Sequence, residues 1–265
     1  MDAKQWLGED NTLGISIWEN KYRYGNETFD EWVERVSGGN LELSRLIKEK
    51  KFLFGGRILA HRGLQKLGKK VTYSNCYVLS TGDSIEEIYK ACSDMARTFS
   101  YGGGTGLDLT PLRPNGAPVN NSAKYTTGAV SFMDTFSQVS QVIGQNGRRG
   151  ALMLSMSVTH PDIEEFIDIK TDLEKVTKAN ISLRITDDFM RAVVNREKYT
   201  CKFTLEDGSE ITKEVDAHKV LQKLAYNNWD MGEPGILFWD TIENYNIMSE
   251  DETFKYAGVN PCARG

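Results

Sequence analysis

Residues 83–109, with the sequence DSIEEIYKACSDMARTFSYGGGTGLDL, predict a helix followed directly by a strand. Between residues 83 and about 101 the apolar residues recur at helical spacing on one face: Ile85, Ile88, Tyr89, Cys92, Met95, Ala96 and Phe99. The glycines at 102–104 end this helix. Residues 107–121 then indicate a strand that leads into a loop rich in proline and asparagine.

The order of helix and strand repeats along the rest of the chain. A second helix is predicted over residues 128–143 and ends at the glycine-containing stretch 144–147. Further strands are predicted at 151–158, at 179–186 and, as a buried strand, at 235–239, and residues 255–259 are also strand-like. Residues 199–205 and 210–215 flank a turn and predict a hairpin. Helix starts are predicted at 160–162, at Asp187 or Asp188, and at Asp216, whose helix runs to about residue 229.

This alternation predicts the α/β class, with a largely parallel sheet and ligands at the carboxyl ends of its strands. Residues 27–50 have helical patterning, and Thr28 with Glu31 forms a capping box at the start. No linker rich in proline, glycine or serine, repeat or low-complexity tract divides the chain. We therefore expect one folded unit.

Composition narrows the classes of function. The chain has 265 residues, of which 40% are hydrophobic and 26% charged, as in an ordinary soluble globular protein. A net charge of −5 argues against a nucleic acid polymer as partner, because such binding needs a basic surface. No apolar run could span a membrane and the first residues lack a signal-peptide pattern, so a cytoplasmic location is expected. The four cysteines show no metal-ligand spacing, so no metal site is predicted.

Several short motifs follow one another in a fixed order. They are Ser74-Asn75-Cys76, Gly82-Asp83-Ser84, the glycine-rich stretch 101–106, Leu112-Arg113-Pro114, residues 144–150 (GQNGRRG), Ala179-Asn180-Ile181-Ser182, and Asn260-Pro261-Cys262. In order and rough spacing this set resembles the catalytic subunit of ribonucleotide reductases over about residues 50–264. The sequence Asn260-Pro261-Cys262-Ala263 and the absence of a recognisable N-terminal ATP-binding cone look most like the adenosylcobalamin-dependent class of that family.

The resemblance implies a more specific fold than the alternation alone. It implies the first half of a ten-stranded α/β barrel of the ribonucleotide reductase type, with the loop that carries Cys262 threaded through the barrel. Residues 1–70 would form a short helical N-terminal lead-in. Residues 71–265 would form the half-barrel with its effector-specificity loops.

The resemblance also implies a catalytic set. Cys262 matches the cysteine that becomes a thiyl radical and abstracts the 3′ hydrogen of the ribose, a step that acids and bases cannot perform at neutral pH. Asn260 matches an asparagine that hydrogen-bonds in the site. Cys76 matches a cysteine that delivers reducing hydrogen at C2′ and then forms a disulfide. The alternative for each thiol is a small buried hydrophobe, which is our interpretation of Cys92 and Cys201.

Nucleotide control is implied by three further motifs. Asp83 and Ser84 match residues that hold the deoxyribose of an effector, although Asp83 could equally be a helix N-cap. Arg113 matches an arginine that contacts effector phosphates, and its alternative is a solvated loop charge. A loop between effector and substrate bases is matched by Gln145, Asn146, Arg148 and Arg149, with Arg149 reaching the substrate; its alternative is a basic turn.

Two other candidates receive structural interpretations. The glycines at 102–106 follow a helix and precede a strand, which is the reverse of a dinucleotide-binding fingerprint, so we expect them to permit close backbone packing. His160 has no partner at ligand spacing and is expected to be a helix-start histidine.

The sequence departs from the family at Arg264, where the family has a glutamate that takes the 3′-hydroxyl proton. The partner cysteine of Cys76 and the segment that binds substrate phosphates are also not found. We therefore expect an incomplete ribonucleoside di- or triphosphate reductase that needs a complementary C-terminal half and is inactive alone. The alternative is a non-catalytic fragment that binds deoxynucleoside triphosphate or serves assembly.

The implied cofactor is adenosylcobalamin, and the alternative is a radical-generating partner subunit. A deoxynucleoside triphosphate or ATP effector with Mg²⁺, a ribonucleotide substrate and a thioredoxin-like reductant complete the expected ligands and partners. Exposed strand edges of a half-barrel favour self-association, and a homodimer is expected.

Overall fold

The computed structural model describes residues 2–143 and 150–262. Its internal contacts divide the chain into two compact units, Met1–Asn75 and Cys76–Gly265. The prediction of one unit from the missing linker therefore differs from the structure. Two units can be separate without a compositional linker because each has its own buried apolar cluster. No helix in the described part of the chain has the length and apolarity to cross a membrane.

The N-terminal unit is helical, as predicted. Its α-helices are α1 (Ala3–Leu7), α2 (Thr12–Ile17), α3 (Phe29–Ser37), α4 (Leu41–Lys48) and α5 (Gly56–His61). The capping box at the start of α3 is confirmed, because the Thr28 hydroxyl accepts from the Glu31 backbone and the Glu31 carboxylate accepts from Thr28 N. The core of this unit is aromatic and contains Trp6, Trp18, Phe29 and Trp32.

The second unit is built on a parallel five-stranded sheet, which confirms the α/β class. Its strands, in spatial order, are β1 (Cys76–Leu79), β2 (Gly104–Asp108), β3 (Leu152–Ser157), β4 (Asn180–Ile185) and β7 (Gly235–Phe238). The main helices are α6 (Ile85–Ser100), α7 (Met133–Val142), α8 (Ile163–Asp168), α9 (Asp187–Asn195), α10 (Ala217–Met231) and α11 (Trp239–Asn244). The arrangement agrees with part of an α/β barrel.

The predicted hairpin is confirmed as an antiparallel pair, β5 (Lys198–Thr204) and β6 (Glu210–Asp216). Asp216 caps α10 as predicted, since its carboxylate accepts from Lys219 N. At α9 the prediction of Asp187 or Asp188 was wrong. The cap is Thr186, whose hydroxyl accepts from Phe189 N, and Asp187 is already the first helical residue.

Three other predictions differ from the structure. The strand at 235–239 was expected to be buried, but β7 is a sheet edge in the described chain, and Ile236 and Phe238 are 42% and 54% exposed. Strand β2 begins at Gly104, whereas the sequence predicted a strand from residue 107, so the strand starts within the glycines that were expected to end the helix. Residues 255–259, which read as strand-like, form no strand in the structure.

The two faces of the sheet differ in chemistry because side chains alternate along a strand. Leu152, Leu154 and Met156 of β3 belong to the main core, which also contains residues of α6 and α7. Met153 instead belongs to a small separate cluster with Leu237, Trp239 and Val259. The second face therefore receives the last described segment of the chain, residues 254–262, here called the cysteine loop.

Close packing of the cysteine loop requires glycine in β2. A Cβ atom at Gly106 would lie 1.7 Å from the Val259 carbonyl oxygen, and one at Gly104 would lie 2.9 Å from Cγ of Pro261. The clash at Gly106 could not be relieved by a side-chain rotation at Val259, because the atom concerned is backbone. The expectation that these glycines permit close backbone packing is therefore consistent with the structure.

We predict that Gly106→Ala destabilises the second unit by about 1–3 kcal/mol, the usual range for overpacking, because the cysteine loop must move. Chemical denaturation followed by tryptophan fluorescence, with contributions from Trp229 and Trp239 of the second unit, measures the effect. Gly55→Ala is the control, since a Cβ atom there meets nothing within 4 Å. Equal stability of the Gly106→Ala and parent proteins would contradict the packing described here.

Candidate active site

Two thiols that are far apart in sequence meet at the cysteine loop. The Sγ atoms of Cys76 and Cys262 are 3.5 Å apart across a sequence separation of 186 residues. Cys76 is the first residue of β1 and is partly buried, whereas Cys262 is exposed. The structure thus brings together two of the three residues predicted to act in catalysis.

The third residue of that set, Asn260, shapes the loop around Cys262. Its side-chain Oδ1 accepts a hydrogen bond of 3.0 Å from the backbone N–H of Cys262. This local bond closes a turn of the kind that asparagine favours, and it fixes the direction in which the chain leaves Pro261. Asn260 therefore has a positioning contact with the backbone that carries the thiol.

The electrostatic surroundings keep the Cys76 thiol protonated. Burial raises the pKa of Cys76, and the neighbouring Cys262 thiol raises it further. A thiolate would be the reactive form for nucleophilic attack or metal binding, and both factors disfavour it. The Cys76 thiol is therefore better suited to donating hydrogen from its S–H bond than to nucleophilic catalysis.

The remaining cysteines are structural, as interpreted from the sequence. Cys92 is buried in α6, and Cys201 is buried in β5 with its S–H directed at the Val158 carbonyl oxygen, 3.3 Å away. Burial raises the pKa of Cys201 to about 11. Among the described residues no group of three or more His, Cys, Asp or Glu side chains could hold a metal ion.

The predicted effector residues also lie together. The Asp83 carboxylate accepts from the Arg113 backbone N–H at 2.7 Å and from Arg113 Nε at 2.6 Å. Arg113 also donates from Nη1 to the Pro118 carbonyl oxygen at 2.8 Å. The alternative of a solvated loop charge is thus wrong for Arg113 in this structure, because its guanidinium is held on two sides.

Asp83 is not the helix cap that the local pattern allowed. The cap of α6 is Ser84, which forms a capping box with Glu87. Asp83 is left to pair with Arg113, and the pair lines a cleft of about 260 Å³ together with apolar residues such as Ile88, Leu112 and Phe132. This cleft is large enough for part of a nucleotide and combines an apolar wall with one cationic group.

A buried polar network holds the loop that carries Arg113. His160 is 1% exposed, its Nε2 lies 2.8 Å from the Leu112 carbonyl oxygen, and its Nδ1 accepts from Asp162 N at 3.1 Å. The Asp162 carboxylate accepts from the backbone N–H groups of Asn115 and Ala129. His160 is therefore structural, which agrees with the sequence interpretation. Burial lowers its pKa.

Sequence reasoning missed two charged residues beneath the cysteine loop, Asp108 of β2 and Arg184 of β4. Their side chains form an ion pair of 2.6 Å. The sequence did contain a signal for them, because each is a single charged residue between two apolar residues of a predicted strand. The two stretches are Leu107-Asp108-Leu109 and Leu183-Arg184-Ile185. Four residues assigned to the substrate-specificity loop, Gln145, Asn146, Arg148 and Arg149, lie outside the described residues, as does Arg264.

Comparison with protein families supplies an independent finding. Residues 74–264 match the family model described as the ribonucleotide reductase barrel domain. The matched range contains the cysteine pair, the Asp83–Arg113 pair and the whole five-stranded sheet.

Individual relatives carry names of the same kind. The chain is 35% identical over 199 residues to a vitamin B12-dependent ribonucleoside-diphosphate reductase of Thermoplasma acidophilum, with 74% of this chain and 25% of the relative covered. It is 31% identical over 215 residues to a vitamin B12-dependent ribonucleotide reductase of Streptomyces clavuligerus, with coverages of 72% and 22%. A vitamin B12-dependent ribonucleoside-diphosphate reductase of Mycobacterium tuberculosis is 29% identical over 250 residues, with coverages of 94% and 34%. The chain therefore spans between about a fifth and a third of these relatives.

We predict that the second unit loses stability as the pH falls below about 6.5, the usual histidine pKa in unfolded chains. The lowered pKa of buried His160 means that the unfolded state binds the proton more tightly, so its contribution is present above that pH and lost below it. Denaturation of parent and His160→Gln proteins between pH 5 and 8 measures the difference.

The pKa of His61 in the N-terminal unit is also lowered by burial, so His61→Gln serves as the control for pH effects from that unit. The His160→Gln protein should have the shallower dependence on pH in the second unit. The same slope in the parent and His160→Gln proteins would contradict the assignment.

Proposed function

This chain belongs to the ribonucleotide reductase family, and we propose that it contributes the part of the catalytic barrel that carries the radical cysteine, one reducing cysteine and the effector site. The reaction is the reduction of ribonucleotides to deoxyribonucleotides by thiyl-radical chemistry. Because the chain spans only a fraction of its relatives, it acts together with the remaining part of such an enzyme.

The observation that carries this proposal is the 3.5 Å approach of the Cys76 and Cys262 sulfur atoms. In the reaction, the Cys262 thiyl takes the hydrogen atom from C3′ of the ribose. The 2′-hydroxyl then leaves as water, and Cys76 delivers hydrogen at C2′. Cys262 then returns the hydrogen atom to C3′ and ends as a thiol again. The two thiols consumed are Cys76 and its partner cysteine, which is not found in this sequence, so the balance is one ribonucleotide and two thiols giving one deoxyribonucleotide, one water and one disulfide. Both sulfur atoms must reach adjacent carbons of one sugar ring, so their separation has to be small.

The raised pKa of Cys76 supports its role in this scheme, because only a protonated thiol has a hydrogen to deliver. Asn260 supports the role of Cys262 by holding the backbone N–H of that residue. The carboxylate that takes the 3′-hydroxyl proton in the family has no counterpart at Arg264. This departure reduces the expected rate and does not alter the roles of the two thiols.

We assign adenosylcobalamin as the cofactor, since the relatives named above are vitamin B12-dependent enzymes. When bound, this cofactor supplies the one-electron oxidation that turns the Cys262 thiol into a thiyl. The exposed position of Cys262 fits that requirement, because the thiol has to be reached from outside the chain. A radical-generating partner subunit is the alternative source and would use the same exposed thiol.

The effector is a deoxynucleoside triphosphate or ATP, with Mg²⁺ on its phosphates, bound at the cleft of Asp83, Ser84 and Arg113. Asp83 and the Pro118 carbonyl oxygen hold two nitrogen atoms of the Arg113 guanidinium in place, and its remaining N–H groups are the donors proposed for phosphate oxygens. Gln145, Asn146, Arg148 and Arg149 carry the effect of that nucleotide to the substrate. A homodimer and a thioredoxin-like reductant complete the proposed assembly.

The second candidate function is nucleotide binding without catalysis. It is favoured by the intact Asp83–Arg113 pair and its cleft, because position 264 carries arginine in place of the family glutamate needed for catalysis. Both candidates predict effector binding, so a binding measurement tests the site that they share. Only the first predicts turnover, so a measurement of turnover separates them.

For effector binding, we predict that Arg113→Ala weakens the affinity for a deoxynucleoside triphosphate by about 1.5–3 kcal/mol, the range for a hydrogen bond to a charged group. Arg149→Ala is the matched control and should leave the affinity nearly unchanged, because its proposed contact is with the substrate. Calorimetric titration of both variants at dimer-forming concentration decides the matter. Equal losses, or no binding by the parent chain, would remove the effector site.

For catalysis, we predict that the chain combined with the remaining part of a B12-dependent relative, adenosylcobalamin and a dithiol reduces ribonucleotides. Cys262→Ser and Cys76→Ser should abolish turnover, whereas Cys92→Ala, at a buried cysteine, should retain it. Arg264→Glu should raise the rate by about 10²–10⁴, the usual contribution of a positioned general base.

Turnover that survives Cys262→Ser would overturn the thiyl assignment. Effector binding without any turnover in the combined protein would favour the non-catalytic candidate.

A further inference from the structure

A charged pair is buried between the sheet and the cysteine loop. Arg184 Nη1 donates to Asp108 Oδ2 at 2.6 Å, which links β4 to β2 across the intervening β3. Ser155 of β3 donates to the other oxygen of Asp108 at 2.9 Å. The Asp108 and Arg184 side chains are 5% and 15% exposed. Three neighbouring strands therefore meet in one polar cluster.

Arg184 connects this cluster to the segment before the cysteine loop. Its guanidinium carbon lies 3.5 Å from the centroid of the Trp239 ring, which is within the range of a cation–π contact. Trp239 is fixed at its other end by a 2.6 Å bond from Nε1 to Glu243. Its ring meets Tyr256 edge-on at a centroid distance of 6.3 Å.

The cysteine loop lies against Asp108 and against Trp239, the residue on whose ring Arg184 stacks. A Cβ atom at Gly258 would lie 3.4 Å from Cβ of Asp108, so the loop backbone passes directly over that carboxylate side chain. Val259, the next residue, packs in one cluster with Trp239 and Met153. The loop is thus held from below by Asp108 and from one side by Trp239, three to four residues before Cys262.

The stability of the fold is a weak reason for burying the Asp108–Arg184 ion pair beneath the cysteine loop. The desolvation of two charges offsets most of their attraction, and apolar residues of similar volume often serve stability as well. Burial accordingly raises the pKa of Asp108, although the nearby Arg184 opposes the shift. Arg184 Nε is also buried without a hydrogen-bond partner among residues 2–143 and 150–262. What the pair does provide is a fixed geometry, because a guanidinium held by a carboxylate and a ring face has few alternative positions.

We propose that Arg184, held by Asp108 and stacked on Trp239, is a positioning residue that fixes the cysteine loop over the sheet and thereby sets the distance between Cys262 and Cys76. The inference rests on the proposed function in one respect: the distance between the Cys76 and Cys262 sulfur atoms matters for catalysis only if the two thiols act in the proposed reaction. The distance itself can be measured without any reductase activity.

Thiol–disulfide exchange with glutathione reports this distance in the full chain. Oxidised glutathione accepts the first thiol with release of one reduced glutathione. The second thiol then displaces another reduced glutathione and closes the Cys76–Cys262 disulfide, so two thiols are oxidised and one glutathione disulfide is reduced. The equilibrium gives an effective concentration of one thiol at the other. Peptide mass spectrometry identifies the disulfide, and Cys262→Ser gives the background.

We expect Arg184→Met to lower the effective concentration at least tenfold, which corresponds to 1.4 kcal/mol. Asp108→Asn should have a similar effect, and Arg184→Lys, which keeps the charge and loses the planar stack, an intermediate one. Lys170→Met is the matched control. Lys170 forms a comparably buried pair with Glu233, 15% and 23% exposed, and donates to the Ala179 carbonyl oxygen away from the cysteine loop. It should stay within twofold of the parent.

An effective concentration within twofold of the parent in Arg184→Met would overturn the proposal, as would an equal loss in Lys170→Met. If Arg184→Met does not unfold cooperatively, and so is not folded, the effective concentrations of Arg184→Lys and Trp239→Phe are compared with the parent instead. Values within twofold of the parent in both variants would overturn the proposal. Failure of turnover in the combined protein, with the expected exchange results, would count against the proposed function and leave the positioning role of Arg184 in place.

Discussion

The absence of side chains at two positions of β2 is the constraint on which the rest of the site depends. Gly104 and Gly106 face the cysteine loop, and at Gly106 even a methyl group would overlap the carbonyl oxygen of Val259. Because this contact is between two backbones, the distance between the cysteine loop and the sheet has little freedom to change. The neighbouring strand β1 pairs in parallel with β2, with Cys76 opposite Gly104. A thiol at the start of β1 and a thiol at the end of the loop are therefore brought to the same place.

The polar residues around the site divide into two groups with different tasks. Asp108, Arg184 and Ser155 form one polar cluster on the face of the sheet that the cysteine loop covers. His160 and Asp162 follow β3 and bind the backbone of the loop that carries Arg113. Strand β3 therefore contributes to the cysteine site and also leads into the residues that support the cleft of Asp83 and Arg113.

The sequence predicted local features well where the signal is itself local. The buried face of α6, the β5–β6 hairpin and the Asp216 cap all depend on residues within a few positions of one another. Ile85 and Tyr89, which were also assigned to that face of α6, are exposed. The predictions failed where a distant partner decides. The sequence pattern allowed Asp83 to cap α6, but the cap is Ser84, and Asp83 instead pairs with Arg113, thirty residues later. Strand β7 has the composition of a buried strand, yet its position at the edge of the sheet exposes Ile236 and Phe238.

The approach of the two thiols was predictable only through the family resemblance, because no spacing rule links residues 186 positions apart. Asp108 and Arg184 were not predicted because a single charge in a strand does not reveal its partner. The most direct test of the account is the reaction of the parent chain with a trivalent arsenical, which bridges two adjacent thiols. The account predicts one arsenic per chain joining the Cys76 and Cys262 peptides, and none joining them in Cys262→Ser. Separate adducts on the two thiols of the folded parent, with no bridge, would contradict it.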